Sequence, residues 1–319
     1  MKIVFLSRYQ HDVERGAEIF VKELTSRLSK IHEIDIFSGT RADSLNEVLK
    51  GKYDVVVPIN GRLQSIKMSL GRLLGGYKVL ITGHSGRGWD DILNIVVKPD
   101  VFVALTDSNA NWARNWAWGG FGRLHTKVVK INNGINLDKF NSGGEKIKID
   151  LPRPIILSVG ALVWYKHHEK VLEAVSKLAS GSVLIVGKGP LADQLKKLGN
   201  EKLKGRFMIT NFKNEDMPKV YRSCDLFTLP SWDREAFGIV YLEALASGLG
   251  VVANDDNSRR EIIGKAGILV DTNDMSKYAS AIENALKVDW SSKALEQAKK
   301  FSWERITEQY QQILNSLIK

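Results

Sequence analysis

The sequence predicts an α/β protein built from two doubly wound parallel-sheet domains, and three observations predict it. Apolar runs of strand length alternate with segments of helical period along the whole chain, which is typical of βαβ units. The 319 residues exceed one ordinary core and fit two compact domains. A stretch at 141–154, with Ser-Gly-Gly, several charges and two prolines, is typical of a linker. We therefore expect one domain over 1–150, a second over 151–300, and a last segment, 301–319, that packs back on the first.

The first half begins with the apolar run KIVFLS, which predicts a strand. A helix should follow it, because apolar residues then recur at helical spacing on one stripe. The pattern of 85–98 favours neither a helix nor a strand. The further strands expected in this half are EIDIFS, DVVVPI, KVLITG, VFVALT and KVVKIN.

The second half repeats this alternation, with helices expected at Glu169–Ala179, Met217–Cys224, Ile239–Ser247 and Tyr278–Leu286. One long helix is expected from about Ser291 to Leu317. Two doubly wound sheets place ligands at the carboxyl ends of their strands. The strands expected here are RPIILSVG, SVLIVGKG, RFMITN, LFTLPS, GVVAND and GILVD.

The composition indicates a globular protein, because 44% of the residues are apolar and 26% are charged. No apolar run approaches the roughly 20 residues that span a bilayer, and the N-terminal apolar stretch is too short for a signal peptide. The single cysteine, Cys224, excludes an internal disulfide and suits a reducing compartment. We expect a cytoplasmic protein in which Cys224 is a small core residue.

The net charge of +10 is concentrated in part in the segment from Gly61 to Lys78, which holds four cations and no acid. Such a segment suits an anionic partner such as lipid headgroups or nucleic acid. A solvated helix face in a basic protein is the alternative interpretation. We expect a membrane surface on the cytoplasmic face rather than nucleic acid.

The most informative segment runs from Ser231 to Glu243. A predicted strand ends at Pro230, a short loop follows, and a helix begins near Phe237 or Gly238. The free backbone N–H groups at such a helix start favour phosphate. Two acids, Glu235 and Glu243, flank this turn, and a carboxylate accepts hydrogen bonds from two sugar hydroxyls well.

These residues resemble the E-x7-E motif of the retaining GT-B glycosyltransferases, the group often called family 4. The resemblance extends over nearly the whole chain and implies the GT-B fold, with two Rossmann-like domains facing across a cleft. The segments that carry it, in the family's order, are Arg15-Gly-Ala-Glu18, Asn132-Asn-Gly-Ile-Asn136, Ser158-Val-Gly-Ala-Leu-Val-Trp-Tyr-Lys166, Gly187-Lys-Gly189, Asp225–Ser231, Arg260-Glu261 and Phe301-Ser-Trp303.

The resemblance implies roles for the matching residues. Glu243 would bind the donor ribose, and Glu235 would contact the transferred sugar near the developing positive charge. The amides of Phe237, Gly238, Ile239 and Val240 would hold the sugar and the phosphates. Gly16 would let the backbone approach the diphosphate. Lys166 would neutralise the leaving group without a metal, so we expect no metal and no cofactor beyond the donor substrate.

The sequence departs from the family at Ala161, where the family carries an arginine beside the lysine. Loss of a charged donor to a diphosphate could cost about 2–4 kcal/mol of transition-state stabilisation. An arginine from another loop could replace it, or activity could be weak. The candidates are Arg15, Arg87, Arg234 and Arg259.

The first domain offers a candidate catalytic residue, His84, at the end of the predicted strand KVLITG. In the family, a histidine at the corresponding position lies near the donor sugar. A loop histidine bonded to backbone is the alternative. Arg87 and Asp90, which follow, are candidate contacts to an acceptor or a phosphate.

Three other groups of residues have competing interpretations. Trp112 and Trp116 share a helix face and favour core packing, whereas Trp118 suits an exposed role. Trp164, beside Tyr165 in the donor loop, suits a wall of the cleft. Paired histidines at 167–168 lack a third ligand at metal spacing and indicate a loop or helix start. The Gly187–Gly189 segment indicates a strand-to-helix turn near the nucleotide.

The resemblance therefore implies a retaining, metal-independent glycosyltransferase with a nucleotide diphosphate sugar as donor. The sequence does not identify the acceptor, although membrane attachment would suit a lipid-linked or polysaccharide one. Closure would bring His84 and Gly16 towards Glu235. Asn211 begins the loop where the family contacts the base, but its residues do not discriminate uracil from guanine. The alternatives are a GT-B phosphorylase, a sugar-nucleotide epimerase, or a silent subunit that binds a partner transferase.

Overall fold

The computed structural model describes residues 1–10, 12, 16–59, 61–119, 126–231 and 235–318. Two compact units make up this part of the chain. Unit 1 comprises Met1–Gly134 and Trp303–Lys319, and unit 2 comprises Ile135–Ser302. The candidate residues Arg15 and Arg234, and the side chain of Trp118, lie outside the described residues.

Unit 1 contains one six-stranded parallel sheet in the order β2-β1-β3-β4-β5-β6. Its central strands are apolar and buried except for the lysines that begin β1 and β4, as expected for a sheet covered on both faces. The strands are β1 (Lys2–Leu6), β2 (Glu33–Phe37), β3 (Val55–Pro58), β4 (Lys78–Thr82), β5 (Val101–Ala104) and β6 (Lys127–Lys130). The helices are α1 (Gly16–Leu28), α2 (Leu45–Gly51), α3 (Arg62–Gly75), α4 (Trp89–Val96) and α5 (Asp107–Gly119).

Unit 2 contains a second six-stranded parallel sheet, in the order β12-β11-β10-β7-β8-β9. The strands are β7 (Ile155–Val159), β8 (Ser182–Val186), β9 (Phe207–Thr210), β10 (Leu226–Leu229), β11 (Val251–Asn254) and β12 (Gly267–Val270). The helices are α6 (His168–Ser176), α7 (Ala192–Leu203), α8 (Met217–Arg222), α9 (Ile239–Ala246), α10 (Asn257–Ile263), α11 (Met275–Ala285) and α12 (Ser291–Lys299). The predicted α/β class with two doubly wound parallel sheets is confirmed.

The boundary between the units lies at Gly134, not at residue 150 as the linker composition indicated. The segment after Gly134 is fastened to unit 2 instead of bridging. Phe140 packs edge-on against Tyr221, with ring centroids 5.9 Å apart. Ser223 Oγ accepts a hydrogen bond from the Ile147 amide at 2.8 Å and donates one to the Ile147 carbonyl at 2.9 Å. Side-chain contacts thus hold a segment whose local composition resembles a linker.

The expected single helix from Ser291 to Leu317 is two helices, α12 and α13 (Trp303–Ile318). Between them, the Phe301 carbonyl accepts a hydrogen bond from the Ile135 amide at 2.8 Å. This contact replaces a helical hydrogen bond and breaks the helix where the chain passes from unit 2 to unit 1. In α13, four buried residues join the apolar cluster of β1 and α1 in unit 1: Trp303, Ile306, Tyr310 and Leu314.

Candidate functional site

Unit 2 has its topological switch point between β7 and β10, because the strands proceed outwards from these two neighbours in opposite directions. Loops that leave the carboxyl ends of such a strand pair form the usual ligand crevice of a doubly wound sheet. The loop after β7 leads to Lys166, which ends a short 3₁₀ helix, Trp164–Lys166. The loop after β10 leads to Glu235 and then to α9. The strand order therefore brings two predicted site residues to one place.

Lys166 and Glu235 form an ion pair between Nζ and Oε2. Their side chains are only 15% and 11% exposed. Ser231, which is fully buried, donates from Oγ to the same Oε2 at 3.3 Å. Each charge is therefore partly desolvated and neutralised by the other. Such a pair can be separated by an anion that binds the lysine and by a hydroxyl that binds the carboxylate.

Helix α9 begins directly after this pair, with Gly238 as its N-cap. Gly238 has φ +85°, and a Cβ there would lie 2.5 Å from Cε2 of Tyr241. Both the left-handed backbone and the lack of space require glycine. Ile239 and Val240 open the helix, so their amides carry the partial positive charge of its N-terminus. Phe237 contributes backbone only, because its ring is buried against Phe301.

Glu243 lies further along α9 and accepts a hydrogen bond from the Tyr221 hydroxyl at 2.7 Å. Burial raises the pKa of Glu243, while the Tyr221 hydrogen bond opposes the shift and Lys139 adds to that opposition. Burial likewise raises the pKa of Tyr221, followed by the charge of Glu243. Tyr221 is completely buried, so it fixes one carboxylate oxygen of Glu243.

Arg259 holds the loop that leads to Glu235. Its guanidinium is buried and donates to the Ser231 carbonyl at 2.6 Å. Asp256 Oδ1 accepts from the same group at 3.3 Å. Arg259 therefore lies beneath the loop and positions it. The neighbouring Arg260 is exposed and pairs with Asp255 at 2.6 Å.

The loop that carries Lys166 packs closely on the loop after β8. A Cβ at Gly187 would lie 1.9 Å from the Gly160 carbonyl oxygen, and one at Gly189 would lie 2.4 Å from that of Leu162. The Leu162 amide also donates to the Lys188 carbonyl at 2.9 Å. The two glycines thus permit a backbone-to-backbone contact, a role the sequence did not indicate.

His168 supports the same loop from below. It is 1% exposed, and its Nδ1 lies 3.0 Å from Ser158 Oγ at the end of β7. Its Nε2 faces the chain at Gly160, 3.5 Å from where a Cβ of that residue would be. Burial lowers the pKa of His168 to about 4, and the charge of Lys166 lowers it further. The ring is therefore neutral at neutral pH. The adjacent His167 contacts Glu169 at 2.9 Å.

Ala161, which replaces the family's arginine, is exposed on this loop. Of the four candidate substitutes, Arg15 and Arg234 lie outside the described residues. Arg259 is committed to Ser231, as above. Arg87 belongs to unit 1, where its guanidinium donates to Ser108 Oγ and to Asn109 Oδ1 at 3.3 Å. The described candidates thus have other contacts.

In unit 1, His84 follows β4, and its ring packs on Phe20 with centroids 4.5 Å apart. Its Nε2 is buried and has no hydrogen-bond partner among the described residues. Burial lowers the pKa of His84 to about 4, so the ring is neutral at neutral pH. A neutral imidazole can accept or donate one hydrogen bond to a bound hydroxyl.

Beside His84 lies a buried acid, Asp91, that the sequence analysis did not single out. A Cβ on Gly83 would lie 2.9 Å from Asp91 Oδ2, and Asn94 donates to Oδ1 at 3.3 Å. Burial raises the pKa of Asp91 to about 7, the Asn94 hydrogen bond opposes this, and the charge of Asp90 adds to it. The predicted contact Asp90 is partly exposed.

The remaining predicted residues lie as follows. Gly16 begins α1, and no atom lies within 4 Å of the position that a Cβ would take there. The space beside its backbone is therefore open. Asn211 is exposed directly after β9. Trp112 and Trp116 pack against the unit 1 core, as the sequence favoured. Trp164 is 53% exposed. Cys224 is buried, with Sγ 3.3 Å from the Val220 carbonyl oxygen, which confirms a core role.

The sequence did not indicate the contacts that four residues make at the site: Tyr221, Arg259, His168 and Asp91. The sequence around Tyr221 and Arg259 carries no local signal of a partner more than twenty residues away. Asp91 and Asn94 face inwards from α4, where a polar residue at helical spacing ordinarily indicates the solvent side. Only the alternation of charged and apolar residues in 85–98 could have indicated that Asp91 faces inwards.

Comparison with protein families gives a match for residues 144–302 to the family described as glycosyl transferases group 1. The D-inositol 3-phosphate glycosyltransferase of Corynebacterium urealyticum is 27% identical over 254 residues, which cover 70% of this chain and 58% of that protein. The first eight curated relatives are matched over 26–58% of their own length, so the chain spans little more than half of them at most.

Solved structures resemble the whole chain. HepE of Anabaena in complex with UDP superposes with a TM-score of 0.78 at 17% identity, covering 99% of this chain and all of that one. Sucrose-phosphate synthase of Thermosynechococcus elongatus gives 0.80 at 19% identity, covering 99% of both chains. The fold is therefore GT-B. Residues 144–302, about half of the chain, thus resemble the group 1 glycosyl transferases in sequence.

Proposed function

We propose that the chain transfers a sugar, with retention of anomeric configuration and without a metal, from a nucleotide diphosphate sugar to an acceptor hydroxyl. The observation that carries the proposal is the Lys166–Glu235 pair at the switch point, directly before the glycine-opened start of α9. The cation and the helix amides suit the diphosphate, and the two carboxylates suit sugar and ribose hydroxyls. The crystal structures of HepE in complex with UDP and with UDP-glucose support a nucleotide sugar as donor.

Metal independence is proposed because Lys166 and the α9 amides can balance the charge of the leaving diphosphate. Among the described residues, no group of three or more His, Cys, Asp or Glu side chains could hold a metal. Transfer should therefore continue unchanged in excess chelator. A loss of activity that Mg²⁺ or Mn²⁺ restores would contradict this part of the proposal.

In the proposed reaction, the bond between the anomeric carbon and the diphosphate oxygen breaks, and a bond to the acceptor oxygen forms on the same face. The leaving diphosphate takes the acceptor proton. Glu235 lies beside the developing positive charge, and Lys166 beside the developing negative charge. His84, in unit 1, offers a neutral hydrogen-bonding group to the donor sugar.

The first test is donor hydrolysis and transfer across UDP-, GDP- and ADP-sugars, with NMR of the product anomer. We expect turnover of one donor class and a retained configuration. Glu235→Gln and Glu243→Gln should each reduce the rate of turnover. Glu283→Gln, at an exposed position on α11, should not. Turnover only with phosphate plus a glycoside would indicate a phosphorylase. Epimerised donor would indicate an epimerase. No turnover and no thermal shift by any nucleotide would indicate a silent subunit, which Ala161 favours.

An anionic membrane on the cytoplasmic face is the second partner we propose, through the segment from Gly61 to Lys78. Its support is the cationic sequence of this segment and the absence of acids from it. Attachment would suit a lipid-linked or polysaccharide acceptor. Within the described ranges, no helix has both the length and the apolar character needed to cross a bilayer. Co-sedimentation at low salt tests attachment, and equal recovery with neutral and anionic vesicles would count against it.

A further inference from the structure

Helix α3 has an unusual distribution of side chains, because its leucines face outwards. Leu63, Leu70, Leu73 and Leu74 are 74%, 65%, 83% and 78% exposed. Their spacing of seven, three and one places them on one side of the helix. We call these four residues the leucine face.

The opposite side of α3, which packs on the core of unit 1, carries three buried polar residues beside the fully buried Met68. Gln64 and Ser65 are each 2% exposed, and Ser69 is 6% exposed. Gln64 is fully engaged, since its Nε2 donates to the Ala42 carbonyl at 3.0 Å and its Oε1 accepts from the Ile59 amide at 3.2 Å. The helix thus places polar groups where a surface helix normally places apolar ones. The leucine face is therefore not available to the core of unit 1, and contiguous exposed apolar surface marks an interaction site.

The charges around the leucine face are cationic. Lys67 is exposed on α3 between Leu63 and Leu70, and α3 has no acid. Arg72 is engaged elsewhere, with Asp100 at 3.3 Å and with the Lys98 carbonyl at 2.9 Å. A second copy of this chain would bring a like-charged face against it, whereas anionic lipid would complement it.

A cavity of about 710 Å³ adjoins the end of α3 and continues the same surface. Leu74 lines it together with Leu317 and Ile318 of α13, and Lys52 and Lys78 line it as well. The acid in its lining, Asp54, accepts a hydrogen bond from the Lys2 amide at 2.7 Å. Apolar side chains beside two lysines suit the boundary between a lipid headgroup and its acyl chains.

We infer that α3 docks on a bilayer as an interfacial helix, with the leucine face in the acyl region and with Lys67 and Lys52 at the phosphates of anionic lipids. Lys78 adds less, because its Nζ lies 3.5 Å from Asp100, which it shares with Arg72. This inference rests on the membrane partner proposed above but not on sugar transfer. It differs from attachment by charge alone, because apolar insertion persists at salt concentrations that screen surface charges.

The test uses the full chain and vesicles of phosphatidylcholine with or without phosphatidylglycerol. The variant Leu70→Ser/Leu73→Ser/Leu74→Ser should bind anionic vesicles at least about tenfold more weakly than the parent chain, since three inserted side chains are lost. Its melting temperature should be unchanged, because these positions are exposed. Undiminished binding of the triple variant would overturn the inference and leave attachment by charge.

Insertion itself is measured with a single thiol. Cys224 is buried, so a dye placed at Leu73→Cys reports one position. Val288→Cys, 42% exposed on unit 2, is the matched control. We expect a blue shift and quenching by brominated acyl chains at position 73 and neither at 288. No shift at 73, or leucine-dependent dimers in sedimentation without vesicles, would overturn the inference. Donor hydrolysis, measured separately without vesicles, tests sugar transfer independently.

Discussion

The candidate site residues of the two units differ in how their charges are satisfied. In unit 2, Lys166 and Glu235 are both charged and neutralise each other at the switch point. In unit 1, the side chain of Asp91 and the Nε2 atom of His84 are buried, and neither residue has an ion-pair partner among the described residues. Burial shifts both pKa values towards the neutral form. Paired charges suit a diphosphate and a developing cation. Neutral groups suit recognition of hydroxyls.

The difference also predicts how each unit responds to change. When either charge of the Lys166–Glu235 pair is removed, the other is left largely buried without its ion-pair partner. The main effect should be a loss of catalytic rate. When a buried titratable group of unit 1 is replaced by a neutral one, the protein no longer has to bury a charge. The free energy of unfolding should therefore increase at pH values where that group would otherwise be charged. The comparison can therefore be broken or sharpened by variants of each kind.

The largest effect is expected for Lys166→Met. It removes the cation for the leaving diphosphate and leaves Glu235 unpaired, so kcat should fall roughly 10²–10³-fold. Steady-state kinetics with the preferred donor measures this, and Lys287→Met, an exposed lysine of unit 2, is the control. A kcat within a factor of three of the parent would remove Lys166 from the chemistry.

Gly238→Ala should reduce stability by about 2–4 kcal/mol. The left-handed backbone contributes about 1–2 kcal/mol, and the Cβ contact with Tyr241 adds the rest. Denaturant unfolding measures the loss, and thermal shift by nucleotide should disappear with it. The matched control is Gly88→Ala at the start of α4, where a Cβ meets no atom within 4 Å. Equal losses in both variants would refute the special role of the α9 start.

Asp91→Asn should increase the free energy of unfolding, relative to the parent chain, more at pH 8 than at pH 5. The increase at pH 8 should exceed that at pH 5 by roughly 1–4 kcal/mol. The folded pKa of about 7 lies above the ordinary value of 3.8. The native carboxyl therefore holds its proton longer than the unfolded one, and its contribution to stability is lost as pH rises towards 7. His84 has an effect of opposite sign, because its lowered pKa reduces stability as pH falls from 6.5 towards 4. It is present in both the parent chain and the variant, so its effect cancels in the difference between them.

The Asp91 prediction is checked by urea unfolding of parent and variant at both pH values. An identical difference between the two proteins at pH 5 and pH 8 would show that Asp91 is ionised in the folded state. Asp90→Asn, at the partly exposed neighbouring position, is the control and should show little dependence on pH.

The smallest effect is expected for His168→Ala, about tenfold in kcat, because the residue acts through the loop that carries Lys166. A structural role alone would lower the melting temperature without a change in kcat at permissive temperature. His168→Gln, which can still bond Ser158, should recover part of the activity. Because the native ring is neutral, the pH profile between 6 and 8 should be the same in all three proteins.

Much of the fold could be predicted from the sequence, because parallel strands buried on both faces are continuous apolar runs. The start of α9 could be predicted as well, since Gly238 follows a strand and precedes an apolar helix. The helix break at 300–302 and the boundary at Gly134 could not, since both depend on contacts such as the Ile135 amide with the Phe301 carbonyl. Local composition contains no record of such long-range hydrogen bonds.

The site divides in the same way. Lys166, Glu235 and Glu243 could be singled out because their order along the chain resembles a known motif. Arg259, Tyr221 and His168 act through partners distant in sequence, and Asp91 faces inwards against the expectation for an acid. For the segment of α3, the sequence indicated the basic character but not the leucine face. The periodicity of a helix does not show which of its sides is covered by the rest of the protein.

The central claim is that the Lys166–Glu235 pair and the start of α9 bind the donor diphosphate. Its most direct test is a crystal structure with the nucleotide, among UDP, GDP and ADP, that gives the largest thermal shift. We predict the diphosphate within about 3.2 Å of Lys166 Nζ and of the first amides of α9, with the ribose on Glu243. A nucleotide bound elsewhere, with the Lys166–Glu235 pair intact and the helix start unoccupied, would contradict the claim.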